Sequence, residues 1–183
     1  MRKIRTAFCD LQSSCKSDCL EYTYDPKSKN DLFVKKGLWR AKDTENLSGV
    51  TSFCTEAFKY DTTFFGEIRF ELTVSSDRDD TAFYIAVNFS DGGEFYPLTE
   101  AITSVSHFCP EYKAGEKLTL KFKTAPIAFR VKAGERIRLD LASSGGKYVP
   151  HSNTKCHWAC ATDTRIAKNT VFLCESYVDL PIK

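Results

Sequence analysis

Residues 67–74 read EIRFELTV. Its apolar side chains recur at every second position, with charged or polar ones between them. A period of two is typical of a β-strand that buries one face and leaves the other in water. The stretch therefore predicts a half-buried strand whose core face is formed by Ile68, Phe70, Leu72 and Val74.

The same alternation returns along the chain in FYIAVNF (83–89), KLTLKFK (117–123), RIRLDL (136–141) and YVDLPIK (177–183). Clusters of Gly, Asp and Ser separate these stretches, and such residues favour turns. No amphipathic pattern long enough for a helix of three turns is present. Many short strands without crossover helices predict an all-β fold of two packed sheets, and a jelly-roll β-sandwich is the version we expect. In RIRLDL, the pattern places three residues on the water-facing side: Arg136, Arg138 and Asp140.

Length and charge exclude several classes of protein. A chain of 183 residues fits one domain with a real hydrophobic core. Its 26 basic and 24 acidic residues leave a net charge of only +2, and they are interspersed. This pattern argues against nucleic acid or an anionic membrane as a partner. No apolar run approaches the roughly 20 residues that span a bilayer, so we expect no membrane association.

The eight cysteines have no regular spacing, and the first residues lack the apolar stretch of an export signal. Disulfides are rare in the reducing cytosol. We therefore expect a cytoplasmic protein with reduced thiols.

The order of several pieces resembles one known family. The pieces are YTYDP (22–26), FFGEIRFELTVSSDRDDTAFYIAV (64–87), SDGG (90–93), FRVKAGERIRLDLASS (129–144), HSNT (151–154) and AKNTVFLCESYVDLPI (167–182). Together they resemble the C-terminal β-sandwich of the X-Pro dipeptidyl-peptidase and cocaine esterase (CocE/NonD) family of serine hydrolases. The resemblance implies a galactose-binding-domain-like jelly roll over residues 21–183, preceded by an N-terminal appendage or interdomain remnant at 1–20. It also implies a structural turn motif formed by Asp80, Thr81, Gly134, Asn153 and Thr154.

In that family, a Ser-His-Asp triad on a preceding α/β-hydrolase domain performs acyl transfer. The nucleophile of such a domain needs a G-x-S-x-G turn, and this chain contains none. We therefore expect no catalytic residues here. The resemblance implies a non-catalytic domain whose partner is the α/β-hydrolase catalytic domain of the same parent protein, with self-association left open. Its function would be to pack on that domain and shape the substrate entrance.

The stretch KCHWAC (155–160) raises other kinds of chemistry. Zinc prefers thiolate and imidazole ligands, which Cys156, His157 and Cys160 would supply together with His151. The pair of cysteines lacks a matching second pair, so a structural loop is the better interpretation. A thiol nucleophile paired with a histidine is even less favoured. Cys109 or Cys156 would need an orienting base, for example His107 or His157, on a rigid frame.

Another weak candidate is a calcium site in the acidic turn of Asp77, Asp79 and Asp80. We expect neither metal nor cofactor.

Residues 25–52 form a polar, irregular connection with an isolated apolar pair, Leu38 and Trp39. An isolated large side chain in a polar stretch favours a contact with another domain. The alternative function is a free-standing carbohydrate- or protein-binding module. Its sugar-stacking rings would come from Tyr22, Tyr24, Trp39, Tyr96 and Tyr148.

Overall fold

The computed structural model describes residues 2–28, 49–91, 94–145, 148–155 and 163–183. Thirteen β-strands account for most of these residues. The strands are β1 (Arg2–Ala7), β2 (Gln12–Ser13), β3 (Cys19–Tyr24), β4 (Thr51–Cys54), β5 (Thr62–Gly66), β6 (Arg69–Ser76), β7 (Ala82–Asp91), β8 (Glu94–Ser104), β9 (Leu118–Lys123), β10 (Ile127–Val131), β11 (Ile137–Ala142), β12 (Ala167–Phe172) and β13 (Tyr177–Ile182). The helices of the described residues are α1 (Val105–Phe108) and the 3-10 helices Phe8–Asp10 and Leu173–Glu175.

The strands form two antiparallel sheets. One has eight strands, in the order β10-β5-β13-β6-β12-β3, with β1 added beside β13 and β9 beside β6. The other has five strands, in the order β2-β4-β11-β7-β8. The predicted all-β sandwich is confirmed, while the jelly-roll connection of its strands stays a prediction.

One hydrophobic core lies between the sheets. The face predicted from EIRFELTV is buried, since Phe70, Leu72 and Val74 on β6, and Ile68 just before it, expose at most 1% of their surface. The five-stranded sheet supplies the opposing side chains, which include Phe83, Ile85, Val87, Ile137, Leu139 and Leu141. The period of two therefore predicted the inner faces of both sheets correctly.

The start and the end of the described chain lie side by side. Strand β1 runs antiparallel to β13 over six residue pairs, from Arg2 opposite Ile182 to Ala7 opposite Tyr177. Phe8 then enters the core, where its ring packs edge-on against Phe53 with 5.1 Å between the ring centroids. The first residues thus contribute a strand and a core side chain to the sandwich, and the division at residue 20 stays a prediction.

A disulfide joins Cys9 to Cys174 across a sequence separation of 165 residues. The expectation of reduced thiols is therefore wrong for this pair. No local pattern signals this pair, because the two cysteines meet only when β1 pairs with β13. Within the described part of the chain, Cys15, Cys19 and Cys109 are free thiols.

Among the described residues, no helix combines the length and the apolarity that a bilayer crossing requires.

Candidate functional site

A cluster of buried polar side chains lies where β7 begins. Asp80, just before β7, is 3% exposed. One of its carboxylate oxygens accepts a hydrogen bond from the backbone N–H of Ser106 (2.9 Å), and the other lies 3.3 Å from Nε2 of His151. Burial alone would raise the pKa of Asp80, but the hydrogen bonds from His151 and Ser106 outweigh it and hold this pKa below its ordinary value. The carboxylate is therefore a charged anchor for two separate segments.

The imidazole of His151 uses both of its nitrogens. Nδ1 accepts a hydrogen bond from the backbone N–H of Asn153 (3.0 Å), so the ring proton lies on Nε2 and points to Asp80. A catalytic histidine instead directs one nitrogen to an acidic residue and keeps the other for the nucleophile. His151 has no nitrogen left for that role, and its pairing with Asp80 is structural.

Asn153 connects three parts of the chain. Its φ of 58° lies in the left-handed region, which asparagine tolerates better than most residues. Its side chain is fully buried; Oδ1 accepts from the hydroxyl of Thr81 (2.8 Å), and Nδ2 donates to the carbonyl of Arg165 (2.6 Å). The turn at 151–154 is thereby fastened to Thr81, just before β7, and to the segment before β12.

Asn169 on β12 extends this cluster into the sandwich. Its Nδ2 donates to the hydroxyls of Thr81 (3.3 Å) and Ser143 (3.1 Å), and Ser143 also pairs with the hydroxyl of Tyr22 (2.9 Å). Burial raises the pKa of Tyr22 to about 12. We call Asp80, Thr81, His151, Asn153 and Asn169 the polar cluster. Because its members bond to one another and to backbone groups, it is built to hold loops in place.

The structural turn motif stays a prediction, and Thr154 and Gly134 are its two remaining members. Thr154 bonds through its hydroxyl to Ser152 (3.0 Å). Gly134, between β10 and β11, has a φ of 89°, and its N–H donates to the carbonyl of Phe58 (2.8 Å). A side chain would be strained in that conformation, which explains the glycine.

Sequence reasoning missed a second polar group, on the outer face of the five-stranded sheet. The guanidinium of Arg138 lies 3.0 Å from the carboxylate of Asp140, which also accepts from Asn88 (2.8 Å) and Ser52 (2.6 Å). Arg138 is 3% exposed and Asp140 1%. The ring of Phe95 lies 4.3 Å from the guanidinium carbon. The prediction that Arg138 and Asp140 face water is wrong, because alternation sorts residues between two faces and does not show whether the outer face is covered.

Several other candidates either lie outside the described residues or pack against the protein. Leu38 and Trp39 lie outside the described residues, as do the zinc candidates Cys156, His157 and Cys160. His107 packs edge-on against the ring of Phe108, and Cys109 packs against the core.

The acidic turn bonds to backbone at separate places. Asp77 accepts from the N–H of Lys168 (2.8 Å), whereas Asp80 accepts from Ser106. No group of three or more His, Cys, Asp or Glu side chains in the described ranges is arranged to hold a metal ion.

The tyrosines proposed as sugar platforms pack within the protein. Tyr24 is 6% exposed, and the hydroxyl of Tyr22 is bonded to Ser143. Tyr96 stacks on Phe89, and Tyr148 packs against Tyr84. None of these contacts favours a carbohydrate ligand.

The fold resembles domains of several solved hydrolases. An α-amino acid ester hydrolase matches 93% of this chain with a TM-score of 0.80 and 16% identity, over 33% of its own length. An aminopeptidase from a marine sediment Thaumarchaeota archaeon matches 100% of this chain with a TM-score of 0.83 and 13% identity, over 37% of its length. A CocE/NonD family hydrolase from Staphylococcus aureus matches 90% with a TM-score of 0.58 and 16% identity, over 33% of its length. The chain thus spans about a third of each protein.

A comparison with curated proteins gave no match. A family model described as the X-Pro dipeptidyl-peptidase C-terminal non-catalytic domain, in contrast, matches residues 8–177, which is nearly the whole chain. The match covers the polar cluster and all strands of both sheets except β1 and most of β13. The chain belongs to the family of X-Pro dipeptidyl-peptidase C-terminal non-catalytic domains.

Proposed function

We propose that this chain packs on the α/β-hydrolase catalytic domain of a parent serine hydrolase, an X-Pro dipeptidyl-peptidase or an acyl esterase, and shapes its substrate entrance. The observation that carries the proposal is the family match over residues 8–177. The similar solved hydrolases are about three times as long as this chain, which leaves room for a catalytic domain.

The polar cluster supports this function. It fixes the turn at 151–154 to the residues just before β7 and β12 through buried hydrogen bonds. A loop held in this way keeps its shape when it meets another domain. A rigid loop loses little conformational entropy on contact. Both ring nitrogens of His151 already have partners, which favours a structural role for this residue over a catalytic one.

In this proposal, the catalytic domain also contacts Leu38 and Trp39. Two copies of the protein associate through another surface. The proposed location is the cytoplasm. Because the cytosol is reducing, this location requires that the Cys9–Cys174 disulfide form and open reversibly.

The experiment compares three proteins: the parent with this domain, the parent without it, and this chain alone. The substrates are an X-Pro dipeptide nitroanilide, p-nitrophenyl acetate, and larger members of each series. We expect no turnover by this chain alone. We expect removal of the domain to change kcat/KM for large substrates more than for small ones, because an entrance selects by size. Turnover by the isolated chain, or an equal change for every substrate size, would contradict the proposal.

Variants test the predicted contact. We expect Trp39→Ala to weaken binding of the separately expressed catalytic domain, as measured by calorimetry. Tyr60→Ala is the matched control, since Tyr60 is 79% exposed and lies away from residues 25–52 in sequence. Equal affinity for both variants would contradict the role of Trp39.

A further inference from the structure

The disulfide lies where the first strand meets the last part of the chain. Cys9 is in the 3-10 helix that follows β1, and Cys174 is in the 3-10 helix that precedes β13. Their Cα atoms are 5.0 Å apart, within the usual range for a disulfide. Both residues are exposed. Exposed disulfides are reached by reductants, and they are more often labile and regulatory than buried ones.

Two free thiols belong to the adjoining segment. Cys19 begins β3 directly opposite Phe172, two residues before Cys174. The sulfur of Cys15 lies 3.8 Å from the carbonyl oxygen of Cys19, and the carbonyl of Asp18 accepts from the N–H of Leu173 (2.8 Å). Four of the cysteines therefore come from segments that meet at this end of the sandwich.

Apart from the disulfide, strand β1 is held on the sandwich mainly by its pairing with β13 over six residue pairs. It is paired with β13 in the eight-stranded sheet, and the side chains of its first four residues are exposed. Arg5 contacts Glu71 (2.8 Å) and Asp179 (3.1 Å), but ion pairs at a surface contribute little to stability. Directly after β1, the buried ring of Phe8 and its N–H bond to the carbonyl of Ser176 (2.9 Å) attach the chain next to the disulfide. Opening the disulfide would therefore act first on β1.

We propose that the Cys9–Cys174 disulfide is a reversible redox latch that controls how firmly β1 is held on the sandwich. In opening, a thiolate of a dithiol reductant attacks one sulfur, forms a mixed disulfide and releases the other cysteine as a thiolate. The second thiol of the reductant then attacks the mixed disulfide. The protein gains two electrons and two protons as two thiols, and the reductant leaves as its disulfide. Glutathione disulfide is the oxidant that re-forms the Cys9–Cys174 bond, and it is itself reduced to two glutathione thiols.

The consequence for a larger protein rests on the function proposed above. A catalytic domain that precedes this chain would be joined to it through β1, so the latch would set how firmly the two domains are connected. The latch itself is a property of these residues, and its test needs no enzyme activity.

The first experiment maps the disulfide. The chain is equilibrated in glutathione buffers of increasing reduced fraction, its free thiols are alkylated, and peptides are identified by mass spectrometry. We expect Cys9 and Cys174 to be linked in the oxidised buffers and to become alkylated together at a mixture that leaves the protein folded. Alkylation of both cysteines in every buffer would overturn the proposal. So would a link from either cysteine to Cys15 or Cys19, or a disulfide that opens only on unfolding.

The second experiment measures amide hydrogen exchange. We expect reduction to raise exchange in residues 2–8 by about tenfold or more and to leave β7 and β11 unchanged, because local opening does not need the core to unfold. The double variant Cys9→Ser, Cys174→Ser should exchange at the reduced rate in both buffers. Cys19→Ser is the matched control and should respond to reduction as the wild type does. Unchanged exchange in residues 2–8 of reduced wild type would refute the latch, whatever the parent enzyme does.

Discussion

Replacing Asp140 with alanine should cost far more stability than its place on an outer sheet face indicates. The carboxylate is 1% exposed and accepts from Ser52, Asn88 and Arg138. Its loss removes the contact of the Asp140 carboxylate with the buried guanidinium of Arg138, itself 3% exposed. Removing one member of a buried ion pair typically costs about 3–5 kcal/mol. In a chain of this size, that loss lowers the melting temperature by roughly 6–20 °C.

Asp163→Ala provides a matched control. Asp163 pairs with Arg165 (3.0 Å) at the same spacing of two residues as Asp140 and Arg138, but the side chains of this pair are 66% and 53% exposed. Its loss should cost less than about 1 kcal/mol. The assay is urea unfolding followed by circular dichroism, with equal slopes required before free energies are compared.

A double variant separates burial of charge from loss of packing. Arg138→Met with Asp140→Leu removes both charges and keeps apolar volume, so it should be more stable than Asp140→Ala. If Asp140→Ala and Asp163→Ala destabilise the protein equally, the ion pair is not buried in solution and the reasoning fails.

Three further predictions concern the polar cluster and the disulfide. Asn153→Ala should cost about 2–4 kcal/mol in urea unfolding, from lost hydrogen bonds and the left-handed backbone, and Asn153→Gly should recover the backbone part; equal losses would contradict the backbone contribution. Folding lowers the pKa of Asp80, so its charge stabilises the protein above about pH 4, and this contribution is lost as the pH falls through the folded pKa. Asp80→Asn should therefore lose less unfolding free energy than the wild type as the pH is lowered through this range. Parallel pH profiles of the two proteins would count against the prediction. Cys174→Ser should destabilise the oxidised protein by at most about 5 kcal/mol, the chain-entropy limit for a separation of 165 residues; the same urea midpoint with and without the substitution in oxidising buffer would contradict a stabilising link.

The inner faces of the sandwich could be predicted from the sequence because local alternation decides them. Phe70 and Leu139 are buried as their positions require. The outer face could not be predicted in the same way, since Arg138 and Asp140 are covered by neighbours that are distant in the chain.

The same limit applies to the polar cluster. The turn residues Asp80 and Asn153 carried a family pattern, but Asn169 sits in a strand with no local signal, and its bonds to Thr81 and Ser143 exist only after the sheets assemble. For His151 the residue type pointed to metal chemistry, whereas its neighbours make it a structural group. Residue type predicts what a side chain is able to do, and tertiary contacts decide which of these properties is used.

The antiparallel register that sets Arg2 opposite Ile182 has a geometric consequence. Directly opposed residues in such a ladder have Cα atoms about 5 Å apart. A short linker would therefore join these two positions, and new termini opened in the turn at Gly115 should give a circularly permuted sandwich with the same strands. A polypeptide arriving at residue 2 and one departing from residue 182 would therefore share a single corner of the sandwich.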